Sequence, residues 1–329
     1  MAWLKDKILA MLRNAEDYVS GQEMCNHLGV SRTAVWKTMN QLKEEGYEIE
    51  AVSNKGYCLR VCPDVVTDYE IKSRLKVDGF LKEVYSFNTI DSTNSYAKKV
   101  AMSEEDVPFL VIADSQQAGR GRRGRSWCSK KGEGIFMSLV VNPSIPPEDA
   151  PKLTLLTALA IIKALEKVAK VTPMIKWPND LILGQKKVCG ILTEMSSEMD
   201  YIHYVVIGMG INVHGQAFEG EVKDVATSLW LQGGKGLHRA ELVSAIVEAF
   251  ETYYNQFIST KTLDAFVEEY NARLIHKGKQ VRVQTKDGER EGIAHGIDAQ
   301  GNLIVEFEDG TTEAIISGEV SVRGLYGYV

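Results

Sequence analysis

The chain has 329 residues, which is enough for two or three domains with sizeable buried cores. Its 44% hydrophobic and 25% charged residues are ordinary for a globular protein, and the net charge of −6 limits any nucleic-acid surface to a local patch. Five scattered cysteines without Cys-x-x-Cys spacing argue against a disulfide framework or a zinc site. The early charges at the N-terminus and the polar residues within 153–168 argue against a signal peptide and a membrane span, so we expect a cytoplasmic protein.

Residues 1–62 carry a helical pattern that is followed by two extended runs. Ser20 and Glu23 have the spacing of a capping box at the start of a short helix. Ser31 can cap the next helix, which Gly46 would end. The extended runs meet at 53–56, where a hairpin turn fits. This order predicts a winged helix-turn-helix domain.

The second of these helices and the wing carry the candidate DNA contacts. They are Ser31, Arg32, Thr33, Trp36 and Lys37 on the helix, and Asn54 and Lys55 at the wing tip. Positions 31–43 contain three cations and no acid, whereas residues 1–60 hold eight cations and eight acids. This footprint is local and modest, and a winged helix that binds another protein is the alternative.

Residues 63–275 alternate between strand and helix patterns, which predicts an α+β domain with a central mixed sheet. Apolar runs at 110–113, 135–141, 188–195 and 202–209 are typical of buried strands, and periodic segments at 149–170, 239–257 and 263–274 are typical of covering helices. Residues 276–329 contain short alternating runs at 280–285, 291–297, 303–308 and 312–316. Turn signals at 286–288, 300–302 and 309–310 separate them, which predicts a small β-barrel.

A basic glycine loop at 119–127 is the most informative segment of the chain. Six Lys or Arg and no acid lie between Ser115 and Gly132. Its Gly-x-Gly-x-x-Gly pattern lacks the following helix that a dinucleotide fingerprint requires, and it lacks the ending of a P-loop. An ordinary solvated loop is the alternative. Glycines allow close backbone approach and arginine suits carboxylate and phosphate, which favours a lid over a bound anion, disordered when empty.

Two further segments are weaker signals. The Lys-Trp-Pro-Asn-Asp motif at 176–180 can be a rigid turn, and Lys187 taken alone fits an exposed turn lysine. The glycines of the 208–213 segment bring backbone close to a neighbour, although they could equally form a bulge.

Taken together, these motifs resemble the biotin–protein ligase family. The resemblance rests on the Asp-Ser-Thr-Asn segment at 91–94, the loop at 119–127, the motif at 176–180 with Lys187, and Gly-x-Gly-Ile-Asn at 208–212. Order and spacing agree over about 85–215. The winged helix before this region and the barrel after it resemble the bifunctional members that also repress the biotin operon. The resemblance implies a catalytic domain of the biotin/lipoate ligase type and an SH3-like C-terminal barrel.

The resemblance also implies a two-step reaction with ATP and biotin as substrates. Biotin's carboxylate attacks the α-phosphate of ATP to give biotinyl-5′-AMP and pyrophosphate, and a lysine of a biotin carboxyl carrier protein then attacks this anhydride. Because an anion attacks a polyanion, the enzyme's main task is to supply positive charge. Magnesium would arrive with ATP, so we expect no dedicated metal site.

Residue roles follow from the same resemblance. The catalytic residues would be Lys187 and Arg122. The biotin-binding residues would be Ser92, Thr93, Asn94, Gln116, Arg120, Gly121, Arg122 and Lys187. The residues for ATP and the adenylate would be Arg122, Trp127, Asn179, Asp180 and Asn212, where Asp180 would orient the lysine or the magnesium ion.

The bifunctional relatives imply operator DNA as a further partner and a homodimer when biotinyl-5′-AMP is bound. Unbiotinylated carrier would consume the adenylate, and leftover adenylate would favour the dimer and DNA binding. Three alternatives remain: a repressor that senses a metabolite without catalysis, a lipoate ligase, and a ligase whose winged helix no longer binds DNA.

Overall fold

The computed structural model of the chain describes residues 2–75, 79–103, 107–285, 288–316 and 321–324. Its N-terminal part contains three helices, α1 (Ala2–Asn14), α2 (Gly21–Leu28) and α3 (Arg32–Glu44), followed by the hairpin of β1 (Glu48–Val52) and β2 (Gly56–Val61). Ser20 and Ser31 cap α2 and α3, since their hydroxyls accept hydrogen bonds from the backbone amides of Glu23 and Ala34. Apolar residues of the helices and hairpin form a separate core. The predicted winged helix is confirmed.

A seven-stranded mixed sheet dominates the central part. Its members are β3 (Glu83–Phe87), β4 (Phe109–Ala113), β5 (Gly134–Val141), β6 (Met174–Lys176), β7 (Asp180–Leu183), β8 (Lys186–Ser197) and β9 (Ile202–Asn212). The order is β3-β4-β5-β9-β8-β7-β6, in which β3 and β4 are parallel and the other neighbours antiparallel. The mixed sheet is confirmed, although the expected strands 188–195 and 202–209 both prove longer.

Helices cover this sheet and place the segments that carry the motifs. They are α4 (Asp68–Lys72), α5 (Thr93–Ala101), α6 (Lys152–Val168), α7 (Arg239–Thr260) and α8 (Asp264–Arg273). Helix α6 is shorter at both ends than the expected 149–170, because Pro147–Asp149 forms a separate 3-10 turn before it and Lys170 adopts a left-handed φ of 56° after it. The apolar periodicity did not indicate β3 or α5, which are short and carry mixed polar residues.

The C-terminal part is an antiparallel sheet of β10 (Gln280–Thr285), β11 (Gly288–Ile297), β12 (Leu303–Phe307), β13 (Thr312–Ile315) and β14 (Ser321–Gly324). Its order is β13-β12-β11-β10-β14. This sheet agrees with the expected all-β segment, and its closure into a barrel stays a prediction. The predicted turn at 286–288 lies partly outside the described residues. The bounds placed at 62/63 and 275/276 also stay predictions.

A buried carboxylate joins the winged helix to the central part. Glu70 of α4 is fully buried and accepts hydrogen bonds from Arg13 of α1 at 2.7 Å and from the Tyr47 hydroxyl at 2.6 Å. Arg74 adds a second guanidinium at 2.9 Å. Because a buried charge requires compensation, this network favours one arrangement of α1 against α4.

Candidate active site

A cavity lies where the start of α5 meets β5, β8 and β9. Every residue predicted to contact biotin lines it. These residues are Ser92, Thr93, Asn94, Gln116, Arg120, Gly121, Arg122 and Lys187. Apolar walls come from Met137, Ile191, Leu192 and Met209. The cavity therefore combines polar groups with an apolar lining, as small-molecule sites do.

One end of this first cavity holds a cluster of hydrogen-bonded polar side chains. The Gln116 side-chain oxygen accepts from the backbone amide of Thr93 at 2.8 Å, and its amide nitrogen donates to the Ser129 hydroxyl at 2.9 Å. The Ser138 hydroxyl lies 2.6 Å from the Asn94 side-chain oxygen and 2.8 Å from the Thr93 hydroxyl. Buried polar groups that restrain one another in this way give a ligand a fixed pattern of donors and acceptors.

Glycines at 190, 208 and 210 make room for this site. A Cβ atom on Gly208 would lie 2.2 Å from the Asn94 side-chain oxygen, and one on Gly210 would lie 2.5 Å from the Trp127 indole. A Cβ atom on Gly190 would lie 2.9 Å from the same indole. The 208–213 segment is regular strand up to Asn212, and its glycines admit neighbouring side chains.

A second cavity adjoins the first, and the two share Gly121, Arg122, Trp127, Asn179 and Lys187. The residues predicted for ATP and the adenylate all line the second cavity. They are Arg122, Trp127, Asn179, Asp180 and Asn212. The predicted catalytic pair of Arg122 and Lys187 therefore lies at the junction of the two cavities.

The junction concentrates charge with defined partners. Lys187 Nζ is 2.7 Å from Asp180 Oδ1 and 5.3 Å from the centre of the Trp127 ring. Arg122 donates to the Asn179 side-chain oxygen at 2.8 Å. Burial lowers the pKa of the Arg122 guanidinium, and the nearby Asp180 carboxylate opposes that lowering. Two cations and one carboxylate leave an excess of positive charge at this point.

Lys187 owes its position to a hairpin between β7 and β8. Gly184 and Gln185 both have positive φ, so the chain reverses there and Lys187 enters β8 as its second residue. A register shift between Leu181 and Ile182 interrupts the pairing just after Asp180. The structure thus places Lys187 in a strand, and the simpler interpretation of an exposed turn lysine is wrong.

The loop at 119–127 folds back on itself. The Gly121 amide donates to the Arg125 carbonyl at 2.7 Å, and the Trp127 amide donates to the Gly119 carbonyl at 2.9 Å. A 3-10 turn at Arg122–Gly124 forms its tip, where Arg123 adopts a left-handed φ of 57°. This conformation directs the Arg122 and Trp127 side chains to the cavities. The expected disorder of the loop without ligand stays a prediction.

Asn212 ends β9 at the rim of the second cavity. Its side-chain nitrogen donates to the Thr227 carbonyl at 2.9 Å, which ties β9 to the segment that follows it. The segment after β9 also positions Lys187 of β8, because the backbone amide of Lys187 donates to the Val225 carbonyl at 2.7 Å.

Several groups that support the site had no sequence signal. Ser138 lies inside an apolar strand, Ser129 follows the basic loop, and Glu194 and Lys98 pair across β8 and α5. Lys176 differs from these groups because it begins the motif at 176–180; it is buried and lines the second cavity. The glycines at 208 and 210 were the one available hint, since they marked where β9 approaches other groups.

The predicted DNA contacts lie together on the winged helix. Arg32, Thr33, Trp36 and Lys37 are exposed on α3, Ser31 is exposed at its N-cap, and Asn54 and Lys55 are exposed at the turn of the β1–β2 hairpin. Two of these residues have other roles as well. Ser31 caps the helix, and Arg32 donates to the Gln22 side-chain oxygen of α2 at 2.6 Å.

Within the described residues, no helix is both long and apolar enough to cross a membrane. The same part of the chain contains no cluster of three or more His, Cys, Asp or Glu side chains arranged to hold a metal ion.

Fold and site define a ligase-type catalytic domain that follows a winged helix and ends in a small β domain. Residues 86–212 match the biotin/lipoate A/B protein ligase family, residues 5–58 match a helix-turn-helix domain, and residues 276–323 match the biotin protein ligase C-terminal domain. The chain belongs to the biotin/lipoate A/B protein ligase family, in the arrangement of its bifunctional ligase/repressor members. The family expected from the sequence motifs is confirmed.

Relatives and solved structures agree with this assignment. The bifunctional ligase/repressor BirA of Bacillus subtilis is 39% identical over 93% of this chain and 94% of its own. BirA of Escherichia coli is 31% identical over 96% of each chain. The structure of the biotin protein ligase from Aquifex aeolicus in complex with biotin and ATP is similar, with a TM-score of 0.65 and 28% identity, and covers 74% of this chain and 100% of its own.

Proposed function

We propose that the chain is an ATP-dependent biotin–[acetyl-CoA-carboxylase] ligase and a biotin-operon repressor. It would convert biotin and ATP to biotinyl-5′-AMP and pyrophosphate, and then transfer biotin to a lysine of a biotin carboxyl carrier protein with release of AMP. The observation that carries the proposal is the pair of adjoining cavities, which share Arg122 and Lys187 at their junction. Two substrates that react with each other need such an arrangement.

The charges at the junction support the first step. The attacking carboxylate and the α-phosphate are both anionic, so bringing them together is opposed unless cations lie between them. Lys187 and Arg122 would supply this charge, and Asp180, which is 2.7 Å from the Lys187 ammonium, would hold that ammonium in place. No protein nucleophile is needed, because the biotin carboxylate itself attacks phosphorus and pyrophosphate leaves.

The two cavities suit different parts of the substrates. In the first, the side chains of Ser92, Thr93, Asn94 and Gln116 form a polar end that would bind the ureido ring of biotin. In the second, the Trp127 ring would stack on adenine and Asn212 would hydrogen-bond it. Magnesium carried by ATP would take most of its ligands from phosphate and one oxygen from Asp180.

Closure of the loop at 119–127 would protect the adenylate, which reacts with water and with any exposed amine. Arg120 and Gly121 would cover biotin, and Arg122 would contact the anhydride. We further propose that residues 1–62 bind operator DNA, that residues 63–275 catalyse ligation with residues 276–329 appended, and that biotinyl-5′-AMP promotes a homodimer. This would link transcription to the supply of unbiotinylated carrier.

Biotin-dependent exchange of pyrophosphate into ATP tests the proposal. Wild-type enzyme should exchange label with biotin and not with lipoate. Lys187→Met, which keeps an unbranched side chain and removes the charge, should reduce exchange by about 100-fold or more. If no exchange occurs, the chain is a repressor that senses a metabolite without catalysis. If exchange occurs with lipoate alone, the chain is a lipoate ligase.

A further inference from the structure

The side-chain amide of Asn94 is held at both ends. Its oxygen lies 2.6 Å from the Ser138 hydroxyl, and its nitrogen donates to Glu194 Oε2 at 2.8 Å. A longer contact of 3.5 Å joins the same nitrogen to the Leu192 carbonyl. Asn94 is 5% exposed and Ser138 is fully buried, so water does not compete freely for these bonds.

Glu194 determines which way this amide faces. A carboxylate and a backbone carbonyl can only accept hydrogen bonds, so the Asn94 NH₂ group must lie on their side. The amide oxygen is thereby turned to Ser138 and retains a second lone pair, and Asn94 lines the first cavity. The site therefore offers an acceptor at this position. Gly208 lies directly beneath the oxygen, where even a Cβ atom would come within 2.2 Å.

Glu194 stays ionised although it is partly buried. Burial alone would raise the pKa of this carboxyl, but hydrogen bonds from Lys98 and Asn94, with the positive charges of Lys98 and Arg120, hold its pKa below the ordinary value. Lys98 of α5 pairs with Oε1, which leaves Oε2 for Asn94. Glu194 does not itself line the cavity.

We infer that Glu194 is a positioning residue that fixes Asn94 as an acceptor, so that the cavity selects ligands that donate an N–H at this point. The inference rests on the proposed function and deepens it, because the ureido ring of biotin carries two such N–H groups. A ligand with an acceptor or a methylated nitrogen at the same place would be rejected, since it would leave the second lone pair of the buried Asn94 oxygen without a donor.

The test is the variant Glu194→Gln, which keeps the size of the side chain. Lys98 can only donate, so it would hydrogen-bond the new side-chain oxygen at position 194. The NH₂ group of the new side chain would then face Asn94. Asn94 would then turn over and present its own NH₂ to the biotin N–H. We expect biotin to bind about 10- to 100-fold more weakly in calorimetry without ATP. The KM for ATP should stay near wild type.

Rescue distinguishes this role from a merely structural one. In the double variant Lys98→Met/Glu194→Gln, the glutamine oxygen is free to accept from Asn94, so biotin binding should recover most of the loss. Wild type should also reject biotin methylated on a ureido nitrogen more strongly than Glu194→Gln does. Unchanged binding in the single variant, or weakened binding without rescue, would overturn the inference. Failure of wild type to bind biotin would instead overturn the proposed function.

Discussion

Replacing Gly210 by alanine should raise the KM for ATP much more than the KM for biotin. The added Cβ atom would lie 2.5 Å from Trp127 Cε2 and 2.6 Å from Nε1, well inside van der Waals contact, so the indole must move away from β9. Stacking of a base on an aromatic ring contributes about 1–3 kcal/mol. At about 1.4 kcal/mol per factor of ten, losing it should raise the KM for ATP about 5- to 150-fold.

The assay is pyrophosphate exchange with ATP and biotin varied separately. The KM for biotin should rise by about threefold or less, because the three atoms nearest to the new methyl group all belong to the indole and none to the polar end of the first cavity. Gly215→Ala is the matched control, since its Cβ atom would meet Glu133 and Phe218 only at ordinary contact distances of 3.5 and 3.6 Å. A Gly210→Ala enzyme with a wild-type melting temperature and an unchanged KM for ATP would refute the stacking role of Trp127.

Three further predictions concern the loop, the core and the winged helix. Arg122→Gly should still form adenylate but release it, so that bystander proteins become biotinylated in a mass-spectrometric assay; adenylate bound as tightly as in wild type would contradict the lid role. Burial and the charges of Lys176 and Lys279 lower the pKa of His276 to about 4, below about 6.5 in the unfolded chain, so up to about 3 kcal/mol of stability should be lost as pH falls from 6.5 to 4. His276→Gln should melt with a weaker dependence on pH over this window, and an equal dependence would exclude the histidine. Trp36→Ala should weaken binding to DNA duplexes selected from a random pool about tenfold. Trp3 is equally exposed on another helix, so Trp3→Ala should not weaken this binding. Equal effects of the two variants would argue against α3 as the recognition helix.

Much of the architecture follows from local patterns in the chain. The caps at Ser20 and Ser31 and the apolar strands β4 and β5 are determined by neighbouring residues, so the sequence alone predicts them. The short strand β3 was missed because only its pairing with β4 identifies it. The location of Lys187 could not be predicted for a similar reason. Gln185 adopts a left-handed conformation in the turn before it, and glutamine is not a residue type that indicates such a conformation.

The candidate site divides in the same way. Glycines and arginines at 119–127 have unusual chemistry and can be read directly from the sequence. These loop residues line one cavity with Ser92 and Asn94 because α5 packs against the sheet. No local pattern predicts that packing, and only the resemblance to a known family indicated it. Supporting residues such as Ser138 and Glu194 are single polar residues within strands, and nothing short of tertiary structure brings them to Asn94.

The most direct test of the central claim is the mass of a carrier protein after incubation with this enzyme. A biotin carboxyl carrier domain would be incubated with biotin, ATP and magnesium, with controls that omit ATP or replace the enzyme with Lys187→Met. The account predicts that the carrier gains one biotinyl group, on one lysine, in the complete reaction with wild-type enzyme. An unmodified carrier, or equal modification by Lys187→Met, would contradict it.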